Sequence, residues 1–147
     1  MSYRVAVVVG SLRRGSWNRA LAHAVISLAP ADFSFEFVEI GELPLYSQDY
    51  DADFPDVAKR FKESIEAADA QLFVTPEYNR SIPGVLKNAI DWGSRPWGHN
   101  SWSGKAGCRA RHVAGCDRHR ARAAAPAQRA RVSRREDARA AGNVHQT

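Results

Sequence analysis

Gly10-Ser11-Leu12-Arg13-Arg14-Gly15-Ser16-Trp17-Asn18 directly follows the apolar run Val5-Ala6-Val7-Val8-Val9. It gathers hydroxyls, a carboxamide and guanidinium groups where the chain turns from a strand into a helix. A helix N-terminus offers unpaired N–H groups and the positive end of a dipole. Ser11, Ser16 and Asn18 add neutral donors, and Arg13 or Arg14 adds charge, a set that suits a phosphate monoester. The loop matches neither G-x-x-x-x-G-K-[ST] nor G-x-G-x-x-G, which disfavours a nucleoside triphosphate and the usual dinucleotide fingerprint. A second loop, Thr75-Pro76-Glu77-Tyr78-Asn79-Arg80-Ser81-Ile82-Pro83-Gly84, combines a rigid bend with an aromatic ring. A planar ligand needs backbone N–H groups at its polar edge and an aromatic or apolar wall. Taken singly, the first loop also reads as a polar connection with a capped helix, and the second as a turn with a cap. Together they favour a flat ligand carrying a phosphate.

The elements around these loops must hold them side by side. The continuous run 5–9 suits a strand buried on both faces, as in a parallel sheet. A helix is expected from Asn18, with Leu21, Val25 and Leu28 on one face and Pro30 as its stop. Phe35-Glu36-Phe37-Val38-Glu39 alternates as a second strand. Asp56 to Ala68 reads as an amphipathic helix with Val57, Phe61, Ile65 and Ala68 inward and Lys59, Lys62, Glu63 and Glu66 outward. Residues 70–75 form a third strand. Ser81 is the expected N-cap of a third helix that carries Pro83 in its first turn and runs to about Trp92. This order predicts an α/β fold with a doubly wound parallel sheet. Ligands of such sheets sit at the carboxyl ends of the strands, near the topological switch point, where both loops emerge.

Charge divides the chain. Residues 1–104 carry 10 Lys and Arg against 13 Asp and Glu, a net of −3, while residues 105–147 carry 11 against 3, a net of +8. An acidic domain followed by a basic stretch is not the uniformly basic footprint of a nucleic-acid-binding domain. No apolar run approaches the ~18 residues of a membrane span, and the N-terminus lacks a signal-peptide pattern, so the expected location is the cytoplasm. Cys108 and Cys116 do not make a disulfide framework.

VVVGSLRRGSWNRALA, LPLYSQDYD and, most specifically, TPEYNRSIPGVLKNAIDWGSRPWG resemble the NADPH-dependent FMN reductases, including members studied as quinone and chromate reductases. The resemblance runs from about Tyr3 to Lys105. It implies a flavodoxin-like fold in which Ser11, Arg13, Ser16 and Asn18 hold the phosphate of FMN. By the same resemblance, Pro76, Glu77, Tyr78 and Asn79 wrap the isoalloxazine ring. It further implies a homo-oligomer, NADPH or NADH as electron donor, and a quinone, flavin or similar small molecule as acceptor. The cofactor carries the chemistry, so no acid–base or nucleophilic side chain and no metal ligand is nominated. His23 is read as a surface residue, and Tyr46 and Asp49 as possible borders of the pocket. A non-catalytic FMN electron carrier is the alternative.

The resemblance gives residues 1–105 as the N-terminal part of a flavodoxin-like domain and 106–147 as an Arg/Ala-rich tail. From Ala106 onward there is no Leu, Ile, Phe, Met, Trp or Tyr, and Val113, Val132 and Val144 are the only sizeable aliphatic residues. Such a segment is expected to be disordered and to supply no buried strand. A permissible codon choice for 107–124, shifted by one base, encodes AAVLGTSPGAIGTALAQ, the strand, Gly/Ser loop and helix with which the family continues. We therefore read a frameshift near Lys105. Two other readings of the tail are an Arg-rich nucleic-acid-binding arm and a zinc site from Cys108, His112, Cys116 and His119, whose spacing is not a usual one. With the later strands missing, residues 70–75 are expected at an exposed sheet edge, prone to pair with other chains and to hold FMN weakly.

Overall fold

The computed structural model describes residues 2–111. Four parallel strands, β1 (Tyr3–Val9), β2 (Phe33–Val38), β3 (Ala70–Thr75) and β4 (Ala106–Arg111), form one sheet in the order β2-β1-β3-β4. The helices α1 (Trp17–Ile26), α2 (Asp56–Glu66) and α3 (Gly84–Gly93) occupy the crossovers, with one 3-10 turn at Gln48–Tyr50. The order steps outward from β1 to β2 and then reverses to β3, so the switch point lies between β1 and β3, as a doubly wound sheet requires.

β1 explains why its sequence is apolar without alternation. Val5, Val7 and Val9 pack with Ala22 of α1 and with Leu72 and Val74 of β3. Ala6 and Val8 face the opposite side, among Phe61 and Ile65 of α2 and Leu86 and Trp92 of α3. Each side of the strand feeds a separate core, so no position is left for a polar residue. The registers Val5↔Ala70 and Val5↔Phe35 bring the carboxyl ends of β1, β2 and β3 to one edge of the molecule.

Four expectations change. α1 starts at Trp17, with Ser16 as its N-cap. α3 starts at Gly84, and its N-cap is Pro83, without a side-chain capping bond; Ser81 is engaged elsewhere, as described below. Lys62 does not point outward. Its Nζ donates to His99 O at 2.9 Å and to Ser101 Oγ at 2.6 Å, which ties α2 to the segment after α3. Burial holds its ammonium below the usual lysine range, against the nearby carboxylate of Glu66.

The fourth change concerns the sheet edge. Residues 70–75 are not at the edge, because Ala106–Arg111 pairs alongside in the register Ala70↔Ala106 to Thr75↔Arg111. Parallel pairing uses backbone groups, which Gly, Cys, Arg and Ala all possess. β4 is thus a strand without a strand's side chains, and Ala106, Gly107, Cys108 and Arg109 remain exposed. The rest of the segment 106–147, with His112, Cys116 and His119, lies outside the described residues. Among the described residues no helix is long and apolar enough to cross a membrane, and no group of His, Cys, Asp and Glu is placed to hold a metal ion.

Candidate functional site

The first loop is set by its glycines and its cap. Gly10 N–H donates to Val74 O at 2.8 Å, which closes the end of β1 onto β3. A Cβ at Gly10 would stand 2.8 Å from Thr75 Oγ1 and 3.0 Å from Leu86 Cδ2, so only glycine allows this approach. Gly15, at φ +64°, turns the chain into α1 in a conformation that other residues rarely adopt. Ser16 is buried, and its Oγ accepts from Arg19 N–H at 3.4 Å. That bond uses a lone pair of the hydroxyl and leaves its proton available to a ligand.

Asn18 is 5 % exposed and its Oδ1 has no hydrogen-bond partner. A buried polar atom without a partner is costly, and this one sits in the first turn of α1 beside the capping serine. The carboxamide can accept from a ligand hydroxyl through Oδ1 or, turned over, donate through Nδ2 to a phosphate oxygen. Arg13 is exposed, and its Nη2 donates to Gly15 O at 3.0 Å, which folds the guanidinium back over the loop. Ser11 is half-buried.

The second loop is a tight turn. Tyr78 N–H donates to Ser81 O and Ser81 N–H to Tyr78 O, each at 2.9 Å. Asn79 and Arg80 between them both take positive φ, 50° and 65°. This is the two-residue hairpin geometry that favours Asn and Gly, and it accounts for Ser81, which closes the turn instead of capping α3. The turn throws Tyr78 outward, 55 % exposed. Glu77 is half-buried, with its Oε1 3.6 Å from Arg80 Nη1. Thr75 Oγ donates to Pro76 O at 2.9 Å at the exit from β3.

Gly10 therefore joins the two halves of the predicted site: its backbone is bonded to β3, and its α-carbon lies against Thr75, the residue before Pro76. The chain brings the phosphate-type loop and the aromatic loop together at the switch point. His23 is exposed, its ring 4.8 Å from that of Phe37, in keeping with a surface role.

A third segment, 43–54, was legible only in part. Asn88 on α3 is buried, and its Oδ1 accepts from Tyr46 N–H at 2.9 Å while its Nδ2 donates to Pro44 O at 2.9 Å. Trp92 Nε1 donates to Pro44 O as well, at 2.7 Å. The helix that begins behind the aromatic loop thereby also anchors the segment containing Tyr46. Tyr46 OH donates to Asp51 at 2.9 Å, and desolvation followed by that carboxylate holds its phenol above the usual tyrosine range. Asp49 is exposed and accepts from Ser47 Oγ at 2.9 Å. Nothing in the sequence singles out Asn88 except that it is an amide on the inward face of an otherwise apolar helix.

Comparison with known proteins identifies the family. Residues 3–130 match the family model described as NADPH-dependent FMN reductase. A 2-hydroxy-1,4-benzoquinone reductase of Burkholderia sp is 69% identical over 107 residues, 73% of this chain and 58% of that protein. A quinone reductase of Pseudomonas putida is 60% identical over 104 residues, 70% of this chain and 56% of that protein. Among solved structures, the flavoenzyme FerB, an NAD(P)H:(acceptor) oxidoreductase from Paracoccus denitrificans, superposes with a TM-score of 0.71 at 49% identity over 74% of this chain and 60% of that one. The chain thus spans less than two thirds of the length of these relatives.

Proposed function

The chain belongs to the NADPH-dependent FMN reductase family, and from that premise we propose that it is the N-terminal part of an FMN-dependent NAD(P)H oxidoreductase that reduces a quinone, a flavin or a similar small acceptor. The observation that carries this reading is the buried carboxamide of Asn18, its Oδ1 without a partner, beside Ser16 at the start of α1, set against the aromatic loop through Gly10. In this reading Ser11, Arg13, Ser16 and Asn18 hold the phosphate. Ser16 donates its hydroxyl proton, the first N–H groups of α1 point at the anion, and Arg13 adds a positive charge. Pro76, Glu77, Tyr78 and Asn79 form the wall of the ring site, and Tyr78 offers an exposed aromatic face. Bound FMN supplies the two-electron chemistry between the nicotinamide donor and the acceptor. The protein's own task is to orient the ring and keep one of its faces open. In this reading no side chain is required to hold a proton.

The Burkholderia and Pseudomonas relatives named above are quinone reductases, which supports a quinone as acceptor. We further propose a cytoplasmic homo-oligomer for the complete protein, and a change of reading frame near Lys105 as the origin of the basic segment from Ala106. The DNA sequence across codons 100–110 tests the frame change.

The function is tested by mixing the protein anaerobically with FMN and either NADH or NADPH. Bleaching of the bound flavin by at least one donor is expected. Bound FMN that neither donor bleaches would instead identify a one-electron carrier. Retention of an oligonucleotide at physiological salt by residues 1–104 would favour a nucleic-acid-binding chain.

A further inference from the structure

The tight turn that closes the second loop has a backbone suited to glycine but carries an arginine. Asn79 and Arg80 take φ values of 50° and 65°. Asparagine tolerates this conformation because its short amide bonds locally, and glycine because it lacks a Cβ; a long side chain has neither advantage. Residues held in such conformations cluster at ligand sites, where the side chain serves recognition. Packing does not account for this one. The Arg80 side chain is 95% exposed, and its Nη1 stands 3.6 Å from Glu77 Oε1, a loose surface pair that contributes little to stability. That contact does fix a direction. Glu77 is half-buried in the wall proposed for the ring, so the guanidinium leans over the wall rather than away from it. Arg80 is also the single Lys or Arg between Thr75 and Gly84. Arg13 of the first loop is folded onto Gly15 O instead.

We propose that Arg80 is a specificity-determining residue that draws an anionic acceptor, a quinone bearing an ionised acidic group, onto the ring wall. The inference rests on the functional reading above and deepens it by assigning a charge to the acceptor. In that reading the phosphate of FMN brings about two negative charges to the first loop. A neutral quinone is indifferent to them. An acidic quinone is repelled unless a cation stands on the ring side of the site, and Arg80 is that cation. Its planar fork offers parallel N–H donors to two oxygens of one anionic group. The 3.6 Å approach to Glu77 is longer than such bonds and yields to them. Tyr78 offers the aromatic face, and Arg80, two residues on, places the charge at its rim. The guanidinium passes no proton and no electron. Its part is to hold the acceptor's charge while the ring stacks.

A matched pair of acceptors tests this. The full chain is loaded with FMN, and para-naphthoquinone and its ring sulfonate are titrated in without a donor, followed by the change in the flavin absorption band. The same two compounds are then compared by kcat/KM with NADPH and with NADH. The unsubstituted chain should prefer the sulfonate, and the preference should shrink as salt is raised, because an exposed charge is screened. Arg80→Gly fits the turn better than arginine does, so its folding is not in question. It should weaken the sulfonate about tenfold relative to the neutral quinone, the loss of a charge-assisted contact. Arg80→Lys, which keeps the charge and loses the fork, should recover part of that difference. Arg80→Gly binding that is unchanged, or weakened equally for both quinones, would overturn the proposal. So would a loss confined to KM for the two donors, which would assign the guanidinium to the donor. If neither donor bleaches the flavin, the functional reading itself fails, whereas the donor-free titration still decides for or against Arg80.

Discussion

The two loops of the site reach the same edge of the sheet by different physical means. The loop after β1 is fixed from beneath: Gly10 is bonded to β3 and pressed against Thr75 and Leu86, and Ser16 and Asn18 are buried. Its ligand-facing groups cannot relocate without disturbing the core. The loop after β3 is fixed by its own turn, closed by two backbone bonds between Tyr78 and Ser81 with the outer residues exposed. Positional accuracy in the first loop comes from packing, and in the second from local backbone geometry. In the proposed reading the phosphate, which needs several donors at set distances, goes to the packed loop. A ring needs a flat wall, which an exposed turn can present.

Substitutions break or sharpen this contrast. The largest effect is expected for Gly10→Ala, whose new methyl group meets Thr75 Oγ1 at 2.8 Å. Overpacking of this kind costs about 1–3 kcal/mol. A thermal melt should show the loss of stability, and fluorescence titration should show FMN binding abolished with it. Next comes Asn18→Ala, which should weaken FMN about tenfold, the worth of a hydrogen bond to a charged group, while riboflavin, which lacks the phosphate, is barely affected. Equal losses for the two ligands would show that the first loop does not hold phosphate. Ser16→Ala should act likewise on FMN, and it should also lower the melting point through loss of the α1 cap, worth about 1 kcal/mol. Tyr78→Ala should weaken FMN and riboflavin together by only a few-fold, because an exposed aromatic wall contributes about 0.5–1.5 kcal/mol beyond its area. The smallest effect, a gain, is expected for Arg80→Gly. Its φ of 65° suits glycine, and relief of that conformation should stabilise the chain by about 1 kcal/mol in a melt. If Arg80→Gly changes neither stability nor flavin affinity, the second loop is not governed by its turn.

β1 and β4 show how far a pattern of side chains can be read. The apolar run of β1 announced burial on both faces, because every residue of the run had to leave water. The segment after Lys105 announced the opposite, and Ala106 to Arg109 are indeed exposed, yet the backbone of Ala106–Arg111 still completes a ladder against β3. Composition tells where a side chain goes; it does not tell whether an N–H and a C=O find partners. The same distinction accounts for Ser81. A serine two residues before Pro83 is a fair N-cap by type, but its backbone was already committed to Tyr78.

The sequence alone determined the order of the first three strands and the three helices, the two loops at the strand ends, the change of character near Lys105, and the kind of ligand those loops suit. Each of these follows from residue type over a short window, where periodicity, glycine and proline act locally. Only the tertiary structure decided that Gly10 locks the two loops together, that Asn18 is buried with an atom left over, and that Lys62 turns inward to the segment after α3. It alone also showed that Asn88 ties the 43–46 segment to α3, and that Arg19 meets Glu39 over Phe37 beside the loop after β1. Those contacts join residues 18 to 65 positions apart in the chain. They depend on how the sheet twists and how the helices pack on it, which no local window encodes.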